Sequence, residues 1–153
     1  SSYPRLATWF EGQFPSGPSF LGANLHLDHI KEKTRAEQIR VFIHEFKKIL
    51  TSSPRPFFIL GDFNESPNQS VRKQLMTSFQ HLQDPWEVLQ KSNESTHHRH
   101  HRPERKDFVG SRIDWILLSK DFKIHDMVID KTNHANLYAS DHFPIKFTGE
   151  LIA

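Results

Sequence analysis

Apolar residues in this chain fall into short uninterrupted runs and one long helical stripe. Phe20-Leu-Gly-Ala-Asn-Leu-His-Leu27 is apolar apart from polar groups near its end, which predicts a buried strand over 20–27. Between Thr34 and Leu50 the apolar positions are Ile39, Phe42, Ile43, Phe46, Ile49 and Leu50. That i, i+3, i+4, i+7 spacing predicts an amphipathic helix. Thr34-Arg-Ala-Glu37 has the form of a capping box, in which hydroxyl and carboxylate each satisfy an orphan N–H, and Ser52-Ser-Pro54 stops the helix. Pro56-Phe-Phe-Ile-Leu60 is all apolar, as a strand covered on both faces would be, and Gly61-Asp-Phe-Asn64 follows directly.

A second, shorter helix is predicted over 70–78. Residues 91–110 are polar, rich in His and Arg, and contain Pro103, so they read as a loop. Arg112 to Ser119 reads as a strand with Ile113, Trp115 and Leu117 on one face. On the other face Asp114 precedes Ile116 and Leu118, so a carboxylate stands where a core residue would fit. Strands over 122–129 and 145–151 complete the pattern. Strands alternating with one long and one short helix predict an α/β layered domain, with no internal repeat and no linker.

Composition narrows this picture. The 153 residues suit one domain, and thirteen Phe with three Trp supply bulky core volume. No apolar run is long enough to predict a bilayer-spanning helix. The start at Ser1-Ser2, with no Met and no leader, reads as a processed or cut end and carries no targeting information; the compartment is open. The absence of Cys excludes disulfides, thiolate metal sites and Cys nucleophiles. A net charge of +2 does not by itself argue for nucleic acid.

Four polar motifs sit in or at the ends of predicted strands: Asn24-Leu-His26-Leu-Asp28-His29, Gly61-Asp62-Phe-Asn64, Arg112-Ile-Asp114-Trp and Ser140-Asp141-His142-Phe-Pro144. Singly, Gly-Asp and Ser-Asp are common turn formers. Charged groups beside apolar strands are costly unless paired or metal-bound, so four such positions in one small domain argue for a shared site.

In this order the motifs resemble the back half of the endonuclease/exonuclease/phosphatase family, over residues 20–145. The resemblance implies an α/β fold, a layered β-sandwich flanked by helices, of which this chain is one half or more. It also implies a metal-dependent phosphoesterase cleaving phosphate esters, nucleic acid among them. By resemblance Asp62 and Asn64 position and activate the attacking water, and Asp141 is a metal ligand. His142 faces the scissile phosphate, Asp114 orients and charges that imidazole, and His26 stabilises the phosphate or aids the leaving group. The implied cation is hard and oxygen-ligated, Mg²⁺ with Mn²⁺ as the alternative. A carboxylate on an imidazole fixes its tautomer and favours its charged form, which suits a group beside an anion.

The family domain has an N-terminal half supplying an Asn and a metal-binding Glu. Nothing before Phe20 matches it: Glu11 lies in Phe-Glu-Gly-Gln, not at the end of an apolar strand. The expectation is one family-type domain over 1–153 lacking its N-terminal part, completed by a further segment or a second chain. Residues 3–14 resemble the family's middle strands through Arg-Leu-Ala-Thr-Trp. Asp28 reads as a carboxylate that supports the site residues from behind or as the start of the turn into the helix, and His29 as structural. Thr96 with His97 or His98 matches a family loop near the substrate. The rest of the His-rich stretch 96–106 reads as a solvated basic loop that steers anions, and its four histidines, His97, His98, His100 and His101, suit adventitious Zn²⁺ or Ni²⁺.

Two enzyme rivals rank lower. A metallo-β-lactamase-type dizinc hydrolase needs His at Asn24 and leaves three motifs unexplained. A serine hydrolase lacks its Gly-x-Ser-x-Gly elbow. A non-catalytic phosphate- or nucleic-acid-binding remnant of the same fold is the alternative from another class.

Overall fold

The structure is a computed structural model and describes residues 4–98, 110–135 and 137–152. In chain order the elements are β1 (Ala7–Gln13), β2 (Ser19–His26), α1 (Glu32–Ser52), β3 (Phe57–Asp62), α2 (Ser70–Ser78), α3 (Pro85–Val88), β4 (Asp114–Leu118), β5 (Phe122–Ile129) and β6 (Ile145–Leu151). A mixed four-stranded sheet runs β1-β2-β3-β4, and β5-β6 form a separate antiparallel pair. Only β2 and β3 are parallel, with α1 as their crossover. The architecture is α/β, with sheets flanked by helices.

Strand alternation divides the large sheet into two faces. Leu21, Ala23, Leu25, Ile59 and Leu117 turn toward the helices and are fully buried with Ile39 and Phe46 of α1 and Val71 and Leu75 of α2. Burying each such side chain contributes about 1.5–3 kcal/mol, so this helix–sheet layer supplies most of the stability. The opposite face carries Phe10, Phe20, Phe58, Leu60 and Ile116. Phe20 packs on Phe58 at 5.7 Å and Phe58 on Phe122 of the β5-β6 pair at 6.4 Å. Phe10 on that face is about half exposed.

Two local features differ from the sequence reading. The box at Thr34–Glu37 does not start α1, which begins two residues earlier after Lys31 and has no side-chain cap. Asp28 does that work instead: its Oδ1 accepts the N–H groups of Ile30 at 2.9 Å and Lys31 at 2.7 Å, so the chain is already turned before Thr34. The one-turn helix α3 was not predicted, because a single turn has no periodicity. Asp84 caps it by accepting Trp86 N–H, and Pro85 supplies a preset φ. Of the predicted loop over 91–110, residues 91–98 and 110 carry no helix or strand, while 99–109 lie outside the described residues.

A buried ion pair joins the crossover helix to the loop after β3. Arg35 Nε donates to Glu65 Oε2 at 3.0 Å and Arg35 Nη1 to the Asp28 carbonyl at 3.1 Å, while Glu65 Oε1 accepts Val71 N–H at the head of α2. Removing one partner strands the other charge in the interior. Glu65→Ala is therefore expected to cost about 3–5 kcal/mol in urea unfolding. The double variant Arg35→Met/Glu65→Leu should recover most of that loss. A Glu65→Ala cost within error of zero would show that the pair does not organise this junction.

Candidate active site

Sheet register brings the motifs together. His26 pairs with Asp62 across β2–β3, and Asp62 pairs with Asp114 across β3–β4. One row of the sheet thus ends in an imidazole and two carboxylates, all on the face opposite the helices. Glycine makes this possible at residue 61. Its φ is 137°, and a Cβ there would lie 1.9 Å from the Leu25 carbonyl oxygen. Phe63 then turns inward, fully buried and stacked on Trp115 with ring centroids 4.3 Å apart, which leaves Asp62 and Asn64 on the outer side. Asn64 sits at φ 50°, a left-handed conformation that Asn tolerates. Its side-chain amide donates to the Leu27 carbonyl at 3.0 Å and to Asp62 Oδ2 at 3.2 Å, and its backbone N–H donates to Asp62 Oδ1 at 2.8 Å.

Asp141 and His142 approach on the loop between β5 and β6. His142 N–H donates to Ser140 Oγ, and the loop is tied back by bonds from Phe143 N–H to the Thr96 carbonyl and from His98 N–H to the Asp141 carbonyl, both 2.8 Å. His142 Nδ1–H donates to Asp114 Oδ2 at 2.8 Å, and its Nε2 lies 3.9 Å from Asp62 Oδ2. Thr96 is fully buried, and its hydroxyl accepts the N–H groups of Ile113 at 3.0 Å and Asp114 at 3.1 Å, which fixes the first turn of the strand bearing the carboxylate. Arg112 sits two residues before it. Its guanidinium forks onto buried Asp84 at 2.9 and 3.3 Å and lies over the Trp86 ring.

The electrostatics follow from this crowding. Burial pushes the Asp62 carboxyl up from its ordinary range; the facing Asp114 charge adds to this, and the Asn64 N–H and the histidines oppose it. The bond to Asp114 raises His142 above the ordinary histidine value, against burial, with the charges of Asp114, Asp62 and Asp141 assisting.

A cleft of about 560 Å³ is lined by Arg5, His26, His29, Asp62, Asn64, His97, Asp114, Asp141 and His142. All six residues singled out as site candidates in the sequence, His26, Asp62, Asn64, Asp114, Asp141 and His142, lie on its wall. Arg5, His29 and His97 join them. Arg5 donates to His26 Nε2 at 2.9 Å and to His29 Nδ1 at 2.6 Å, so His29, read as structural, also stands on the cleft wall. The signal for Arg5 was the Arg-Leu-Ala-Thr-Trp stretch, but nothing in that stretch marked the arginine as facing a cleft. Asp28 is buried and serves the turn into α1. His98 is buried too, its Nε2–H donating to the Ser140 carbonyl at 2.8 Å. Glu11 lies along β1, paired with Arg55 at 3.1 Å, outside the cleft lining. Asn24, which the dizinc reading needs as a ligand, does not line the cleft either. The anion steering assigned to the basic loop concerns residues outside those described, as do His100 and His101 of the four histidines given adventitious metal binding. Among the described residues two groups bring three metal-ligating atoms within 4.8 Å of one another: Asp62, Asp114, His142 and His97, Asp141, His142.

Comparison with known proteins gives the class. The model of the Endonuclease/Exonuclease/phosphatase family matches residues 3–142, and the chain belongs to that family. Members of this family are phosphoesterase hydrolases, which places the chain apart from the dizinc β-lactamase-type group. A mannosyl-6-phosphatase of Bacteroides thetaiotaomicron is similar at 25% identity, with a TM-score of 0.80 over 97% of this chain and 58% of that one. The human Nocturnin catalytic domain, solved with bound sulfate, shares the fold at 23% identity and a TM-score of 0.71, over 94% of this chain and 53% of its own. TDP2 of D. rerio, complexed with single-strand DNA product, shares it at 20% identity and a TM-score of 0.72, over 95% and 62%. The chain thus spans little more than half the length of these structures. No curated protein sequence matches it.

The Asp114–His142 bond sets a measurable titration. By ¹H–¹⁵N NMR the His142 imidazole should titrate above the ordinary value near ~6.5, and Asp114→Asn should bring it down. Because the folded-state value is raised, the pair's contribution to stability is full below the ordinary histidine value and is lost as pH rises through the raised one. An unchanged titration in Asp114→Asn would mean that another group sets the charge of His142.

Proposed function

We propose that this chain carries the reacting centre of a metal-dependent phosphoesterase that hydrolyses phosphodiesters, nucleic-acid backbones among them. The observation that carries the reading is His142 held between two carboxylates, bonded to Asp114 and close to Asp62, in a cleft that also holds Asn64, His26 and Asp141. In-line hydrolysis needs a positioned water, a base for its proton, and cationic groups at the phosphate oxygens. Asp62 takes the proton; burial and the facing Asp114 charge raise its carboxyl above the ordinary range, which suits it to that role. Asn64, bonded to Asp62, holds the water with it. His142, biased toward the charged form by Asp114, faces the phosphate. His26 and Arg5 form the opposite wall, where a second phosphate oxygen or the leaving group lies.

The cleft fits a hard divalent cation. Asp62 and Asp114 face each other at the last rung of the ladder, an arrangement of like charges that a cation relieves. Asp141 is the carboxylate on the rim and the ligand we assign. Mg²⁺, or Mn²⁺ in its place, would supply charge neutralisation at the phosphate oxygens. One carboxylate does not complete such a site. We assign the remaining ligands to a further segment or a second chain, which would also cover the half-exposed aromatic face around Phe10. A neighbouring polar depression of about 690 Å³ shares His29, Asn64 and His97 with the cleft and gives room for the substrate beyond the scissile group.

The test is turnover of a generic phosphodiester and of plasmid DNA with Mg²⁺, with Mn²⁺ and with chelator. Turnover should require metal, and Asp62→Asn should abolish it while raising the melting temperature at pH 7, since the variant removes a buried like-charge contact. His142→Ala should cost on the order of 10³-fold in kcat, and Asp114→Asn less, because it alters the imidazole without removing it. Full activity in Asp62→Asn would overturn the assignment of the base. A folded chain without turnover under all three conditions would favour a phosphate-binding module or a centre completed elsewhere.

A further inference from the structure

The rim of the cleft holds a donor set softer than Mg²⁺ chemistry calls for. His97 and His142 are partners in an isolated antiparallel bridge, the arrangement that puts two side chains next to each other on one face. The flanking bonds from His98 N–H to the Asp141 carbonyl and from Phe143 N–H to the Thr96 carbonyl, both 2.8 Å, hold the two backbones in place. The rings stand 4.5 Å apart at 37°. Asp141 follows the same turn, and its Oδ2 lies 3.4 Å from His97 Nε2. The ligating atoms of His97, Asp141 and His142 all fall within 4.8 Å of one another.

Two magnitudes favour a metal site over a simple ion pair. A 3.4 Å separation is long for a charge-assisted hydrogen bond, which runs about 2.7–2.9 Å. It matches the edge of a tetrahedron whose metal–ligand bonds are about 2.0–2.1 Å, which is roughly 3.3 Å. The tautomer agrees as well. With Nδ1 bonded to Asp114, the Nε2 of His142 is the nitrogen left for a metal, which displaces the proton from it, the carboxylate–histidine–metal arrangement that orients zinc ligands. Two imidazoles and one carboxylate form a donor set that suits Zn²⁺ and its neighbours far better than Mg²⁺.

We propose that His97, Asp141 and His142 form a binding site for a Zn²⁺-class transition metal on the rim of the cleft. The site stands on ligand geometry alone and does not depend on the phosphoesterase reading. A metal there engages His142 Nε2 and Asp141 together, so it competes with any hard cation that Asp141 holds. The chain would then bind transition metals and Mg²⁺ as mutually exclusive occupants.

The test is titration of the 153-residue chain with Co²⁺, read by visible d–d absorption, and with Zn²⁺, read by calorimetry. One equivalent should bind with the intense absorption of tetrahedral Co²⁺. His97→Phe and Asp141→Asn should each weaken binding more than about 10-fold, and Asp114→Asn, which loosens the support of His142, roughly 10-fold. Replacement of both His100 and His101 by Ala should leave the tight equivalent in place. The proposal is overturned if His97→Phe binds as the parent does, if the His100/His101 variant loses the tight equivalent, or if Co²⁺ gives only weak octahedral absorption. Retained thermal unfolding of each variant shows that lost binding is not lost fold.

Discussion

Two carboxylates face each other at the last rung of the β3–β4 ladder, and much of the surrounding structure answers that one unfavourable contact. Asp62 and Asp114 would repel at close range in a partly dry setting. His142 bonds one and approaches the other; Asn64 gives Asp62 two N–H donors, and Thr96 holds the strand that carries Asp114. Each is a local answer to charge that the sheet register forces together. Strain of this kind is costly in a domain whose net stability is small, and such an arrangement persists where it serves chemistry.

The stability that carries this cost lies on the other side of the sheet. Leu21, Ala23, Leu25, Ile59 and Leu117 pack against α1 and α2, and Phe63 on Trp115 pins the turn that presents Asp62 and Asn64. Buried ion pairs brace the approaches: Arg35–Glu65 ahead of α2, and Arg112–Asp84 ahead of β4. The rim residues, by contrast, are carried by loops that meet in the bridge between 96–98 and 141–143.

Much of this was legible in the residues. The helical stripe, the apolar runs and the alternation around Trp115 placed α1, α2 and β2 to β6, because burial imposes those periods directly. The four motifs pointed to one site because a charge beside an apolar strand demands a partner. Three things were not legible. The start of α1 is set by Asp28, whose carboxylate accepts the N–H groups two and three residues on and turns the chain before the box at Thr34. The turn at α3 is too short for any period to show. Arg5 and His29 line the cleft through contacts to residues far along the chain, and no local pattern records such contacts, whereas His97 was indicated through the resemblance of its loop. Asp84, partner of the motif arginine, was hidden for the same reason.

One feature of the sheet bears on how the molecule comes to work at all. His26, Asp62, Asp114 and His142 meet only through strand pairing and loop return, and the Asp114–His142 bond alone closes a separation of 28 residues. No fragment of one or two elements can assemble this row, and such non-local pairing is the slow part of folding. The cleft is therefore an all-or-none property of the native state. A nascent or partly opened chain would expose apolar sheet but no organised site, so loss of cooperativity would be felt as silence before it was felt as altered chemistry.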